Sequence, residues 1–213
     1  MGTWKKLAYV ELGSDASSID TANDSSFSGD DFEGAESLLV ICNIKDSGSN
    51  ANVFFRFNNY SSSVYSSRRC ENGGSDTSTG SDFVAADDLK FYQTGSGTDV
   101  QRYIKMNISN LDSHGTSSSG VKLCIAEVVE STATGSDTAP VRSEHVGKWE
   151  VQPTGSASNI TRISCRTTSA NYASGSSITV YGQADDIVTD EKTTLTNAPA
   201  NTRYEETDTR KIY

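Results

Sequence analysis

The 213-residue chain has only two methionines and two histidines, and nowhere an apolar run approaching the ~20 residues a helix needs to cross a bilayer. No dozen residues hold a helical period, so packed helices are not expected. His114 and His145 are the only imidazoles, and neither has a nucleophile or a pair of metal ligands nearby in sequence. A GxSxG elbow is absent, and no glycine-rich loop leads into a lysine and a helix. The 18 basic residues are scattered among 28 acidic ones, for a formal charge of -10, which argues against binding to phosphate backbones. The opening residues, MGTWKKLAYVEL, lack the apolar core and small-residue cleavage site of a signal peptide. The four cysteines show no metal spacing. Cys42, Cys124 and Cys165 fall in expected strands and Cys70 in a loop, a pattern that fits buried thiols in a reducing compartment. The expectation is a chain that is not an enzyme and takes no cofactor and no metal.

What is abundant is β material: Val and Ile outnumber Leu, and Ser, Thr, Gly and Asn separate short alternating runs. The densest apolar stretch is 37–58, where Leu38, Val40, Cys42 and Ile44 share one face of a strand and Val53, Phe55 and Phe57 one face of the next. Residues 100–109 alternate cleanly except for Arg102, which is placed near a sheet end. Residues 121–129 repeat the pattern, with Val121, Leu123, Ile125 and Val129 as the expected core face. Further strands are expected near 7–12, 62–68, 90–93, 143–152, 159–167 and 178–182, with a helical turn within 81–89 and Trp4 as an anchor. Nine or ten short strands with turns every eight to fifteen residues predict an all-β antiparallel sandwich of jelly-roll type. Val40, Cys42, Phe55, Ile104, Leu123 and Val180 are expected in one core. The domain should span 1–183, followed by an extended C-terminal arm, 184–213.

Three weaker signals deserve weighing against ordinary β-protein composition. Asp30, Asp31 and Glu33 follow a loop from Asp20 onward with a superficial likeness to a calcium loop, but without its alternating ligands, central glycine and terminal glutamate in register. Glu127, Glu144 and Glu150 are carboxylates on strands, as a glycosidase would need and as strand surfaces carry routinely. Tyr60, Tyr65, Tyr92, Tyr103 and Tyr172 lie in polar surroundings and would suit platforms for sugar rings, or plain strand composition.

Beyond Gly182 the pattern changes. Ile187, Val188, Leu195, Tyr204, Ile212 and Tyr213 are scattered apolar groups among mixed charges, too few to form a core of their own. The closing segment NTRYEETDTRKIY, 201–213, resembles a short sequence near the C-termini of tailed-bacteriophage structural proteins. The blocks EHVGKW, 144–149, and SSITVYG, 176–182, resemble the last strands of β-sandwich virion proteins of the capsid-decoration, head-fibre and tail type. The resemblance implies a non-enzymatic virion subunit, made in the host cytoplasm, that assembles on or in the particle. Its partners would be copies of itself, as in a trimer, and other virion proteins such as the major capsid or tail protein. No nucleic acid and no membrane are implied. An assembly arm would use Arg203, Tyr204, Glu205, Glu206, Asp208, Arg210, Lys211 and Tyr213, whose paired signs suit a register-specific contact. The alternatives are a carbohydrate-binding module for host-surface glycan and a self-assembling extracellular fibre subunit.

Overall fold

The computed structural model describes residues 4–27, 32, 35–48, 51–71, 83–91, 100–110, 121–131, 139–150 and 159–183. The strands are β1 (Trp4–Glu11), β2 (Ser18–Asp20), β3 (Ser37–Lys45), β4 (Val53–Phe57), β5 (Tyr65–Glu71), β6 (Phe83–Ala86), β7 (Leu89–Phe91), β8 (Gln101–Ser109), β9 (Val121–Glu130), β10 (Val141–Glu150), β11 (Ile163–Arg166) and β12 (Ser177–Gln183). One sheet has the order β1-β12-β3-β8-β9-β10-β5-β6 and the other β2-β11-β4-β7. All pairings are antiparallel.

The order has a simple origin. β1 pairs with β12, β2 with β11, β3 with β8 and β4 with β7, so the first half of the chain runs back along the second as a double ribbon. Rolled up, the ribbon closes through β12·β3 in one sheet and β11·β4 in the other, which is the jelly roll. Two insertions widen the larger sheet. The β9–β10 hairpin follows β8, and β5–β6 branches from the β4-to-β7 connection to pair with β10.

Alternation builds the core. Leu38, Val40, Cys42 and Ile44 face inward beside Ile104, Met106 and Ile108, and meet Phe55, Phe57, Leu89, Phe91, Ile163 and Cys165 from the smaller sheet. Phe55 packs against Phe91 at 5.2 Å between ring centroids and Phe57 against Trp149 at 5.7 Å. The Tyr65 hydroxyl, inside this cluster, accepts from the Phe57 amide at 2.9 Å and lies within bonding reach of the Phe57 and Tyr60 carbonyls. The chain turns out of β4 through Asn58 and Asn59 at φ of 52° and 54°, a left-handed conformation Asn tolerates. The Asn58 side chain then ties the turn down, accepting from the Thr161 and Arg162 amides.

Several expectations need correcting. The described part of the 81–89 region, 83–89, holds no helical turn: β6 and β7 pair with β5 and β4 there. Cys70 lies in β5 and not in a loop, although Cys42, Cys124 and Cys165 are buried free thiols as read. Trp4 is a β1 residue with its side chain in solvent. The largest correction concerns β9. Val40, Cys42, Phe55, Ile104 and Val180 are fully buried, but Leu123 is 57% exposed, and Val121, Ile125 and Val129 point outward with it.

The inward face of β9 is Lys122, Cys124, Ala126, Val128 and Glu130, fixed by Ile104↔Val128, Met106↔Ala126 and Ile108↔Cys124. Space decides this choice. A Cβ on inward-facing Gly147 of β10 would stand 2.3 Å from Leu89 Cδ1 and 3.0 Å from Cys124 Sγ, so little room remains beneath the hairpin and small side chains fill it. Gly147→Val is therefore expected to cost about 1–3 kcal/mol by overpacking. Leu123→Ser should shift stability by less than about 0.5 kcal/mol. Urea denaturation of the two variants measures the contrast, and equal losses would contradict this account of β9.

Candidate functional site

The arm residues Arg203, Tyr204, Glu205, Glu206, Asp208, Arg210, Lys211 and Tyr213 lie outside the described residues, as do His114, Tyr92, Asp30, Asp31 and Glu33. Among the described residues no group of three His, Cys, Asp or Glu side chains is arranged to hold a metal ion. Asp20, where the superficial calcium loop begins, is engaged elsewhere: it takes Arg162 in a two-pronged ion pair and accepts from Ser164 and the Ala22 amide. Burial pushes the Asp20 carboxyl upward, but these hydrogen bonds outweigh it and hold the group below the usual range. The described tyrosines of this set are dispersed. Tyr65 and Tyr172 are core residues, while Tyr60 sits on a loop and Tyr103 on the outer face of β8, so they form no common platform.

Two of the buried polar clusters among the described residues hold side chains that the sequence singled out. Arg102, which broke the alternation of β8, points inward between Asp46 and Glu130, bonding the Asp46 carboxylate through Nη1 and Glu130 Oε2 through Nε at 3.0 Å. Farther along the sheet, His145 on β10 is stacked on Phe91 at 4.5 Å with Nε2 3.0 Å from Ser143 Oγ. Its cross-strand neighbour Arg69 pairs with Glu71 at 2.6 Å. Burial, and then the charge of Arg69, push the His145 pKa down to about 3, so the ring is neutral. Ser143 and His145 are a hydroxyl beside an imidazole, but both are buried, and neither presents its atoms to solvent.

The open feature is the outer face of the larger sheet. Val121, Leu123, Ile125 and Val129 of β9, Val146 of β10, Tyr103 of β8 and Val84 of β6 are all large apolar residues exposed by 38% or more. Register gathers them: Ile125 lies opposite Val146, and Val129 opposite Tyr103. A shallow depression of about 320 Å³ lies among Arg68, Val84, Leu123, Val146 and Lys148. Another, of about 440 Å³, opens beside Tyr103, Val129 and Pro140 at the far end. Glu127 and Glu144 stand opposite each other on this open face, with Arg142 bridging to Glu127 at 2.9 Å, and line neither depression.

The chain matches no protein-family model, no curated protein and no solved structure. Its site is therefore defined by geometry alone. Scattered single apolar residues are normal on a protein surface, whereas a contiguous patch rimmed by charge marks a contact. Sequence reasoning named most of these residues and assigned those of β9 to the wrong face. The available signal was that β9 is apolar on both faces, with Cys124, Ala126 and Val128 a second alternating set.

Proposed function

We propose that this chain is a non-enzymatic structural subunit of a tailed-bacteriophage virion, a capsid-decoration, tail or fibre protein that acts by assembling with copies of itself and with other virion proteins. The observation that carries the reading is the exposed apolar row of β9, Val121, Leu123, Ile125 and Val129, flanked by Val146 and Tyr103, which a chain working alone would be expected to cover with polar side chains. The resemblance of EETDT-containing 201–213 to phage structural proteins supplies the biological setting. A fold does not fix a function, and the jelly roll serves lectins as well as capsids. Dispersal of the tyrosines weighs against the sugar-binding alternative.

Residues 184–213 enter the proposal as an arm that engages neighbouring subunits, through Arg203, Arg210 and Lys211 flanking Glu205, Glu206 and Asp208. Strand β12 ends at Gln183, one residue beyond the strand end read from sequence, and the proposed arm begins after it. Gln183 pairs with Trp4 and Ser37, and its carbonyl accepts from the Glu36 amide at 3.1 Å. A chain ending at Gln183 is expected to keep its β circular dichroism and cooperative melting while losing incorporation into particles. Quantitative mass spectrometry of purified particles provides the measurement. Many copies of the full chain and few of the truncated one are expected. Absence of the full chain from particles, or equal occupancy for both chains, would overturn the virion reading or the arm, respectively.

A further inference from the structure

We infer that the outer face of β8, β9 and β10 packs against the same face of a second copy, across a two-fold axis lying between the sheets, perpendicular to the strands and over the Ile125–Val146 pair. The inference rests on the reading of the chain as an assembling subunit, and goes beyond it in naming the face and the register.

Strand β10 carries the symmetry. Its outward residues, in order, are Arg142, Glu144, Val146, Lys148 and Glu150, all exposed. Taken as charges about Val146 the series reads plus, minus, neutral, plus, minus. A two-fold axis over Val146 reverses the strand, so Glu144 meets Lys148 of the second copy and Arg142 meets Glu150 of the second copy, each pair occurring twice. A surface that is its own electrostatic complement under reversal is what an isologous contact requires. Among the described residues neither Glu144 nor Lys148 has an ion pair within the chain.

The apolar residues follow the same axis. Ile125 lies directly opposite Val146, so the two residues at the centre meet their own counterparts in the second copy. On β9, Val121 meets Val129 of the second copy, and Leu123 lies over the aliphatic stem of Glu127. Arg68, across from Val146 on β5, meets its own counterpart toward the rim, where solvent screens like charges.

Net charge points to the same place. The chain carries a formal charge of -10, which opposes self-association in general. On this face Lys45, Arg68, Lys105, Arg142 and Lys148 stand against Glu127, Glu144 and Glu150, five positive and three negative, in contrast to the acidic excess of the chain as a whole. Copies can therefore approach here without the repulsion that the rest of the surface imposes. Strands β3, β8, β9, β10 and β5 together give a face of roughly 24 Å by 30 Å, about 700 Å². That is close to the ~800 Å² per partner of a standard stable interface.

Sedimentation equilibrium of the full chain tests the inference. Wild type should dimerise. Val146→Asp, which sets a carboxylate on the axis against its own copy, should weaken the dimer by about a hundredfold or more. Lys148→Glu should weaken it by about tenfold, and the swap Glu144→Lys with Lys148→Glu should restore it, because reversal again pairs opposite signs. All these side chains point outward, so unchanged circular dichroism, and unchanged melting at a dilution where wild type is monomeric, confirm that the variants fold. A wild type that stays monomeric, a self-associated state indifferent to Val146→Asp, or a swap as weak as the single change overturns the inference. A monomeric chain that still enters particles defeats this inference alone, whereas a dimer absent from particles defeats the virion reading alone.

Discussion

Arg102→Met is expected to cost about 3–5 kcal/mol, because it leaves two carboxylates in the interior without the cation between them. Arg102 and Asp46 are wholly buried and Glu130 nearly so, with the guanidinium reaching one carboxylate through Nη1 and the other through Nε. That fork geometry ties three elements at one end of the sandwich: Asp46 directly after β3, Arg102 near the start of β8 and Glu130 at the end of β9. Lysine, a point charge without the fork, should not replace it. The formal sum of the three groups is already -1, and Asp46 Oδ2 has no hydrogen-bond partner among the described residues. Removing the single positive charge takes the sum to -2 in a site with little water. The triple variant Asp46→Asn, Arg102→Met, Glu130→Gln should be more stable than the single one by about 2 kcal/mol, a coupling in the range found for contacting residues. Urea denaturation followed through buried Trp149 reads both values. A single variant within about 1 kcal/mol of wild type would mean that the cluster is not held as charges.

Much of the fold was legible because most strands have one apolar set and one polar set. β3 and β8 show their buried faces in the sequence, and the register Val40↔Met106 and Cys42↔Ile104 joins those faces directly. Arg102 was placed at a sheet end from its misfit alone, but its partners lie 56 and 28 residues away, and no local pattern links them. β9 failed for a physical reason: both of its alternating sets are apolar, and a one-residue choice of face exchanges them entirely. The larger set, Val121, Leu123, Ile125 and Val129, is the natural core choice on hydrophobicity. Only the depth left by Leu89 beneath Gly147, a contact between elements remote in sequence, sends that set outward. The candidate assembly face was hidden by the same ambiguity. The nesting of β1 with β12 and β2 with β11 was equally out of reach, since it depends on pairings across most of the chain.

Acid should unfold this protein earlier than its carboxylates alone would require, and His145 is the expected cause. In the fold the ring is 1% exposed and stacked on Phe91, and burial, followed by the Arg69 charge, holds its pKa at about 3. In the unfolded chain it takes up a proton near the ordinary value of about 6.5. Between those two values the unfolded state binds more protons, so stability falls as pH falls, by about 1.4 kcal/mol per pH unit for this one group. At pH 4.5 the loss is on the order of 2–3 kcal/mol relative to pH 7. Asp20 acts later. Asp20, held below its usual range by Arg162, Ser164 and the Ala22 amide despite burial, loses its contribution only as the pH drops through and below the ordinary carboxylate range. The two effects therefore separate along the pH axis. The double variant Ser143→Ala, His145→Phe removes the titrating ring together with the hydroxyl at 3.0 Å that would otherwise be left unpaired, and retains an aromatic ring against Phe91. Its stability from urea melts should be nearly flat from pH 7 to pH 4.5 while wild type declines. A wild-type profile flat over that interval, or a double variant that falls as steeply, would show that His145 already takes up its proton within the folded sandwich.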